Sequence, residues 1–166
     1  MKTLPVSLSC PLSLSLALLI SPFLLYAQSS TSNAAAVKIL VDSGNYVFHA
    51  QSATSMGGRI RQLETDYTVT ITKGKITADL PYFGEAYSAP TDPTESGIQL
   101  TSTVFNYSVK PRKKDGWNVM IKPKDAKDVQ QVLLTISSEG YTSLQVTSLS
   151  RQPITFNGYV AALTQK

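Results

Sequence analysis

Asp79 and Glu85 are the residues whose types and spacing most invite chemistry. They flank Leu80-Pro81-Tyr82-Phe83-Gly84, and two carboxylates set across a sugar ring can cleave a glycosidic bond. Nothing in the spacing makes the two converge. Acids beside a bend usually cap turns or pair with arginine, and Arg59, Arg61 and Arg151 are the expected partners. A nucleophilic hydrolase needs a histidine base, and His49 is the only histidine. It stands between Phe48 and Ala50 in a strand-like run, and no Gly-x-Ser-x-Gly elbow accompanies it. A metal would have to rely on carboxylates, which suit a hard cation such as calcium. Asp92 and Glu95 share a loop but lack the ligand density of a calcium loop. The expectation is no catalytic residue, no metal and no cofactor. Hydrolysis by Asp79 and Glu85 is kept only as a distant alternative.

The aromatics carry more weight. Tyr82, Phe83 and Tyr87 crowd one stretch, and Tyr107 and Trp117 lie further along. Together they form a candidate cluster that either lines a hydrophobic ligand cavity or packs the core. Pro81 has no amide proton and must end a strand ladder there. Gly84 can take a positive φ that its neighbours would resist. The resulting bend is predicted to tuck the three aromatics under or across a sheet.

Lys110, Arg112, Lys113 and Lys114 form a basic cluster, with Lys122, Lys124 and Lys127 nearby. The run brackets Pro111 and Asp115, so it reads as a solvated hairpin tip. Contact with anionic lipid or polysaccharide is the alternative. Aromatics occur only in the flanking strands, so no nucleic-acid partner is expected.

The chain has 166 residues and one cysteine, Cys10. Lys2, the apolar run Leu12 to Tyr26 and Ala27 read as an export signal over residues 1–27. The apolar run is shorter than the ~20 residues that span a bilayer, and Pro22 interrupts it. Cleavage removes Cys10, which leaves no disulfide and no thiol chemistry. An exported chain without disulfides suits a bacterial envelope, periplasmic or secreted. Loss of Lys2 lowers the formal charge from +4 to +3. No membrane span remains after cleavage.

Residues 28–44 are small and polar and read as a flexible lead-in, with Ala34-Ala35-Ala36 seeding one helical turn at most. Residues 45–163 read as one all-β domain. Tyr46 to Ser52 is the first strand, and Asp66 to Thr72 alternates cleanly as the second. A two-residue Lys73-Gly74 loop sets Ile71 opposite Ile76, Val69 opposite Ala78 and Tyr67 opposite Leu80. A three-residue loop would mismatch every pair, so burial of one face selects the shorter turn. Ser88 to Ser96 is a loop broken by Pro90 and Pro93. Gly97 to Lys110 is one long strand or two short ones, and Trp117 to Lys122 returns. Gln131 to Ser137 and Tyr141 to Leu149 pair through Ser138-Glu139-Gly140, with Leu134 opposite Leu144 and Val132 opposite Val146. Ile154 to Leu163 closes the chain. The count is about eight strands in antiparallel meander order. Closing the sheet removes its exposed edges, which predicts a lipocalin-like barrel, with a two-sheet β-sandwich as the alternative.

Three blocks resemble a known family. They are Asp79 to Tyr87, Gly116-Trp117-Asn118-Val119-Met120-Ile121, and Ser150-Arg151-Gln152-Pro153-Ile154-Thr155-Phe156-Asn157-Gly158. They are similar to the domain of unknown function 4251 family of small exported bacterial proteins. The resemblance spans Tyr46 to Val160, and its Leu-Pro-Tyr-Phe-Gly core is the most specific part. Glu85 stands where the family often has a basic residue, and Phe156 where a tyrosine is common. The resemblance implies an exported, all-β, lipocalin-like domain and carries over no catalytic residue.

The combined reading is an exported, non-enzymatic binding module. Its expected partner is a small hydrophobic molecule or an envelope component. The second reading is a structural or protein-interaction domain whose barrel is filled and whose outer surface acts.

Overall fold

The strands follow one another around a single meander. The computed structural model describes residues 28–87 and 97–163, with side chains from residue 33 onward. The expected export signal over 1–27 and the loop with Pro90, Asp92, Pro93 and Glu95 lie outside the described residues. Helix α1 (Gln28–Ser43) leads into β1 (Tyr46–Thr54), β2 (Ile60–Ile71), β3 (Ile76–Leu80), β4 (Ile98–Ser102) and β5 (Phe105–Pro111). β6 (Trp117–Pro123), β7 (Val129–Ile136), β8 (Tyr141–Ser148) and β9 (Ile154–Ala161) complete it. Their order in the sheet is β4-β3-β2-β1-β9-β8-β7-β6-β5, and every pairing is antiparallel.

That order explains how the sheet comes round. Each antiparallel step reverses direction, so the first and last of nine strands run the same way. Only Thr103 and Val104 join β4 to β5. The two are therefore halves of one bent strand, the first paired with β3 and the second with β6. The bend nearly closes an all-β barrel. The expected count of about eight becomes nine because this long strand breaks in two.

Asp125 holds the break. Its carboxylate accepts from the Thr103 amide at 2.9 Å, the Val104 amide at 3.2 Å and the Thr103 hydroxyl at 3.2 Å. It also accepts from the hydroxyl of Ser102, which is buried. The Lys124 amide donates to the Val104 carbonyl at 2.8 Å. The Ser102 hydroxyl and the Thr103 amide favour the charged carboxylate and lower its pKa to about 2.

Alternation delivers one face of each strand inward. Phe48, Val69, Ile71, Ile76, Leu80, Ile121, Leu134, Leu144 and Phe156 are buried there. The predicted registers appear as Ile71 opposite Ile76 and Val69 opposite Ala78, and as Leu134 opposite Leu144 and Val132 opposite Val146. Leu80 pairs with Ile98 on its other side. Gly140 takes φ 91° in the β7–β8 turn, as the three-residue loop requires. β2 begins at Ile60 rather than at Asp66, because its first residues pair with Ser52, Ala53 and Thr54 beyond a bulge.

The lead-in expected to be flexible over 28–44 is helical instead. Val37, Leu40 and Val41 fall at i, i+3 and i+4 and make one short apolar stripe. Val37 and Val41 are buried, and Leu40 packs against the core. The helix lies at the mouth where β1 begins. Val37 meets the β7–β8 turn at Gly140, and the Tyr107 hydroxyl donates to the Val41 carbonyl at 2.8 Å. The stripe is too narrow to stand out in a run of Ser, Asn and Ala, and barrel packing supplies what propensity does not.

Candidate functional site

The opposite mouth is crossed by residues 81–87, the aromatic stretch. Pro81 ends β3 as predicted. The chain then leaves the sheet and pairs with the β8–β9 connection. Ala86 bridges Arg151, the Tyr87 amide donates to the Ser150 carbonyl at 2.7 Å, and the Gln152 amide donates to the Glu85 carbonyl at 3.1 Å. This strap spans from β3 to the far side of β2 and β1. Arg151 also donates to the Gly97 carbonyl at 2.6 Å. Both flanks of residues 88–96 are thus tied to the same connection.

Tyr82 is the strap's inner post. Its hydroxyl is shared between the Glu85 carbonyl at 2.7 Å and the Gln152 carbonyl at 3.1 Å. The Arg151 guanidinium lies 5.2 Å from the ring centre. Burial pushes the phenol's pKa up. Gly84 does not use the positive φ open to a glycine. It is required for another reason: a Cβ there would sit 2.5 Å from the Tyr82 hydroxyl oxygen.

The expectation that all three aromatics tuck under the sheet is corrected for two of them. Phe83 is 36% exposed and Tyr87 is 67% exposed. Beyond Pro81 the chain is no longer a strand, so alternation stops dictating which side chains turn inward. Arg61 covers one face of Phe83 at 4.8 Å. The five-residue aromatic cluster is also divided. Tyr82, Phe83 and Tyr87 belong to the strap, whereas Tyr107 and Trp117 are half-buried toward the helix-covered mouth. There the Tyr46 hydroxyl reaches the Tyr107 hydroxyl at 3.3 Å. Tyr107 spends its only proton on Val41, so Tyr46 donates. Burial pushes both phenols' pKa values up.

The two acids lie apart from Arg59 and Arg61. Asp79 is exposed on the outer face of β3, opposite Gln99. Glu85 accepts from the Gln152 side-chain amide at 3.2 Å. Among the described residues, neither acid forms an ion pair with Arg59 or Arg61. Those two arginines precede or open β2 and are exposed. His49 is on the outer face of β1. Its Nδ1 meets Asp66 at 2.9 Å, and its ring stacks on Tyr159 at 5.1 Å. Among the described residues, no group of three or more potential ligands could hold a metal ion.

The barrel interior is packed by aliphatic side chains together with Phe48 and Phe156. Between Val69, Leu80, Leu100, Val132 and Leu144 the remaining apolar space is too narrow for a water molecule. Sequence reasoning found the strap but missed its dock. Ser150 and Gln152 act through backbone atoms, which residue type does not reveal. Arg61 was assigned to an acid although an aromatic face attracts it as well.

A nearly closed antiparallel barrel, capped by a helix at one mouth and strapped at the other, defines the class. The chain belongs to the DUF4251 family, a domain of unknown function, whose model matches residues 28–160. A crystal structure of a DUF4251 family protein from Bacteroides eggerthii DSM 20697 is similar to it at 17% identity and a TM-score of 0.62. The match covers 82% of this chain and 90% of that one, and at this identity the likeness shows the fold. No curated protein matches the chain. Among the described residues, no helix is long and apolar enough to cross a membrane.

Proposed function

We propose that this protein is an exported, non-enzymatic binding module that acts through the outer surface of its strapped mouth. One observation carries the reading: Phe83 and Tyr87 stand exposed on a segment whose backbone is fixed at both ends. Exposed aromatics on a rigid support lose little entropy when a partner covers them. Among the described residues, the space between Val69, Leu80, Leu100, Val132 and Leu144 is too narrow for a water molecule, which favours this surface over a hydrophobic molecule carried there. The partner is an envelope component, and the site of action is the periplasm or the extracellular space of a bacterium.

The test uses the full precursor expressed in an exporting bacterial host. Native mass spectrometry before and after solvent extraction is expected to show a bare chain beginning at Gln28. The same protein is expected to co-sediment with one envelope fraction freed of lipid, and Phe83→Ala with Tyr87→Ala to abolish that. An extractable lipid-like molecule in the native mass would replace this reading with a carrier. Unchanged sedimentation of the double variant would move the binding surface elsewhere.

A further inference from the structure

We infer that the helix-covered mouth is a docking surface for an anionic lipid bilayer. The β2–β3 turn carries Lys73 and Lys75, and the end of β5 with the following turn carries Lys110, Arg112, Lys113 and Lys114. Both turns lie at the end of the meander where β1 begins: Ile71 and Ile76 register with Tyr46, and Pro111 and Trp117 register through Ile136, Thr142 and Gly158 with Ala50, nearer the middle of β1.

The two turns belong to one patch. The Lys73 amide donates to the Asn45 side chain at 3.2 Å, and the neighbouring Gly44 packs beside the Tyr107 ring. Tyr107 is three residues before Lys110 on β5.

The patch is short of compensating acid. Asp42 pairs with Lys38 on α1. Asp115 is shared between the β5–β6 tip, where it attracts Arg112, and the next turn, where its carboxylate accepts from the Ser138 amide at 3.0 Å and the Ser138 hydroxyl at 2.9 Å. Glu139 is the remaining acid at this end. Six cations against two acids leave an excess of four, so this end carries the whole positive excess of the chain without Lys2, whose formal charge is +3. Among the described residues, none of the six cations is held in an ion pair.

Apolar side chains distinguish a bilayer from a soluble polyanion. Ile39 on α1 is 68% exposed and Tyr141 at the start of β8 is 66% exposed. Both sit at this mouth. An exposed aliphatic beside lysines gains from an acyl boundary and gains nothing from a hydrated polysaccharide. This surface is separate from the strap, so a molecule resting on it presents the strapped mouth to solution.

The experiment is sedimentation of the full exported protein with vesicles of about three parts phosphatidylcholine to one part phosphatidylglycerol, against pure phosphatidylcholine. Binding is expected to the anionic vesicles only, and to fall steeply as salt rises toward about 0.5 M. Each cation near such a surface contributes about a fivefold factor. Arg112→Ala, Lys113→Ala and Lys114→Ala together are therefore expected to lower partition by about a hundredfold with melting unchanged. Lys122→Ala, Lys124→Ala and Lys127→Ala remove equal charge from the end of β6 and the β6–β7 turn, outside the two turns of the patch, and are expected to leave binding near the wild-type level. Equal binding to neutral vesicles, equal loss in both triple variants, or no binding to anionic vesicles overturns the inference. Retention on sulfated dextran without vesicle binding also overturns it, in favour of a polysaccharide.

Discussion

The hydroxyl of Tyr82 lies 3.1 Å from the carbonyl of Gln152, a residue 70 positions further along the chain. It also donates to the Glu85 carbonyl at 2.7 Å, so one phenol fixes the strap to itself and to its dock. Removing only that oxygen tests how far the strap depends on it. Tyr82→Phe is expected to cost about 1 kcal/mol, the net contribution of such a bond. Urea unfolding measures this. Amide exchange at Tyr87 and Gln152, whose N–H groups make the strap's backbone bonds, is expected to accelerate more than exchange at Leu144.

Gly84 follows from the same contact. A methyl at this position would meet the Tyr82 oxygen at 2.5 Å and the adjoining ring carbon at 2.8 Å. Gly84→Ala is therefore expected to cost about 1–3 kcal/mol, as overpacking does. Adding Tyr82→Phe removes the nearer obstacle. The double variant is expected to be more stable than the sum of the single losses implies, and a double-mutant cycle from urea midpoints reads the difference. Simple additivity would mean that the ring moves aside without strain.

The buried pair of phenols under α1 predicts an alkaline limit. Tyr46 and Tyr107 have pKa values raised in the folded state, chiefly by burial. The unfolded chain ionises them near the ordinary value of about 10. Above that pH the unfolded state holds fewer protons, so stability falls as pH rises. Below it both states are protonated and the contribution is flat. Tyr46→Phe is expected to flatten the decline of melting temperature above pH ~10. Tyr107→Phe is expected to cost about 1–3 kcal/mol, because the Val41 carbonyl loses its donor and a buried hydroxyl its acceptor.

How much was legible depended on where alternation held. Ile71 and Ile76 could be paired from the Lys73-Gly74 turn, because a one-residue slip would have turned apolar side chains outward. Leu134 and Leu144 could be paired for the same reason. The sides taken by Phe83 and Tyr87 escaped, since alternation ends where the chain leaves the ladder at Pro81. α1 escaped because its stripe is only Val37, Leu40 and Val41. Asp125 looked like any turn acid. Its partners, Ser102, Thr103 and Val104, lie more than 20 residues away, and only the closing of the barrel brings them together.

That clamp sets the acid limit. The Asp125 carboxylate titrates at about 2 in the folded protein and near 3.9 in an unfolded chain. Between those values the unfolded state binds more protons, so stability is complete above pH ~4 and drains away as pH falls toward ~2. The Asp115 carboxyl, whose pKa is lowered by its bonds to Ser138, adds to the same limb. Asp125→Asn is expected to reduce the slope of melting temperature against pH in that window while Asp115 retains part of it. The variant is also expected to show faster amide exchange at Thr103 and Val104. An unchanged acid slope would mean that the bent strand holds its shape without the carboxylate.

Two phenylalanines separate a surface motif from a core motif. Phe156 is wholly buried, whereas Phe83 is 36% exposed beneath Arg61. Phe156→Ala removes a core ring and is expected to cost about 3–5 kcal/mol. Phe83→Ala gives up one cation–π contact, about 0.5–1 kcal/mol at an exposed site. Urea unfolding of the two variants is expected to differ by at least about 2 kcal/mol. A loss at Phe83 as large as that at Phe156 would make the Leu-Pro-Tyr-Phe-Gly stretch a packing element. A small loss, combined with loss of partner binding, leaves recognition as the reason an aromatic ring faces water there.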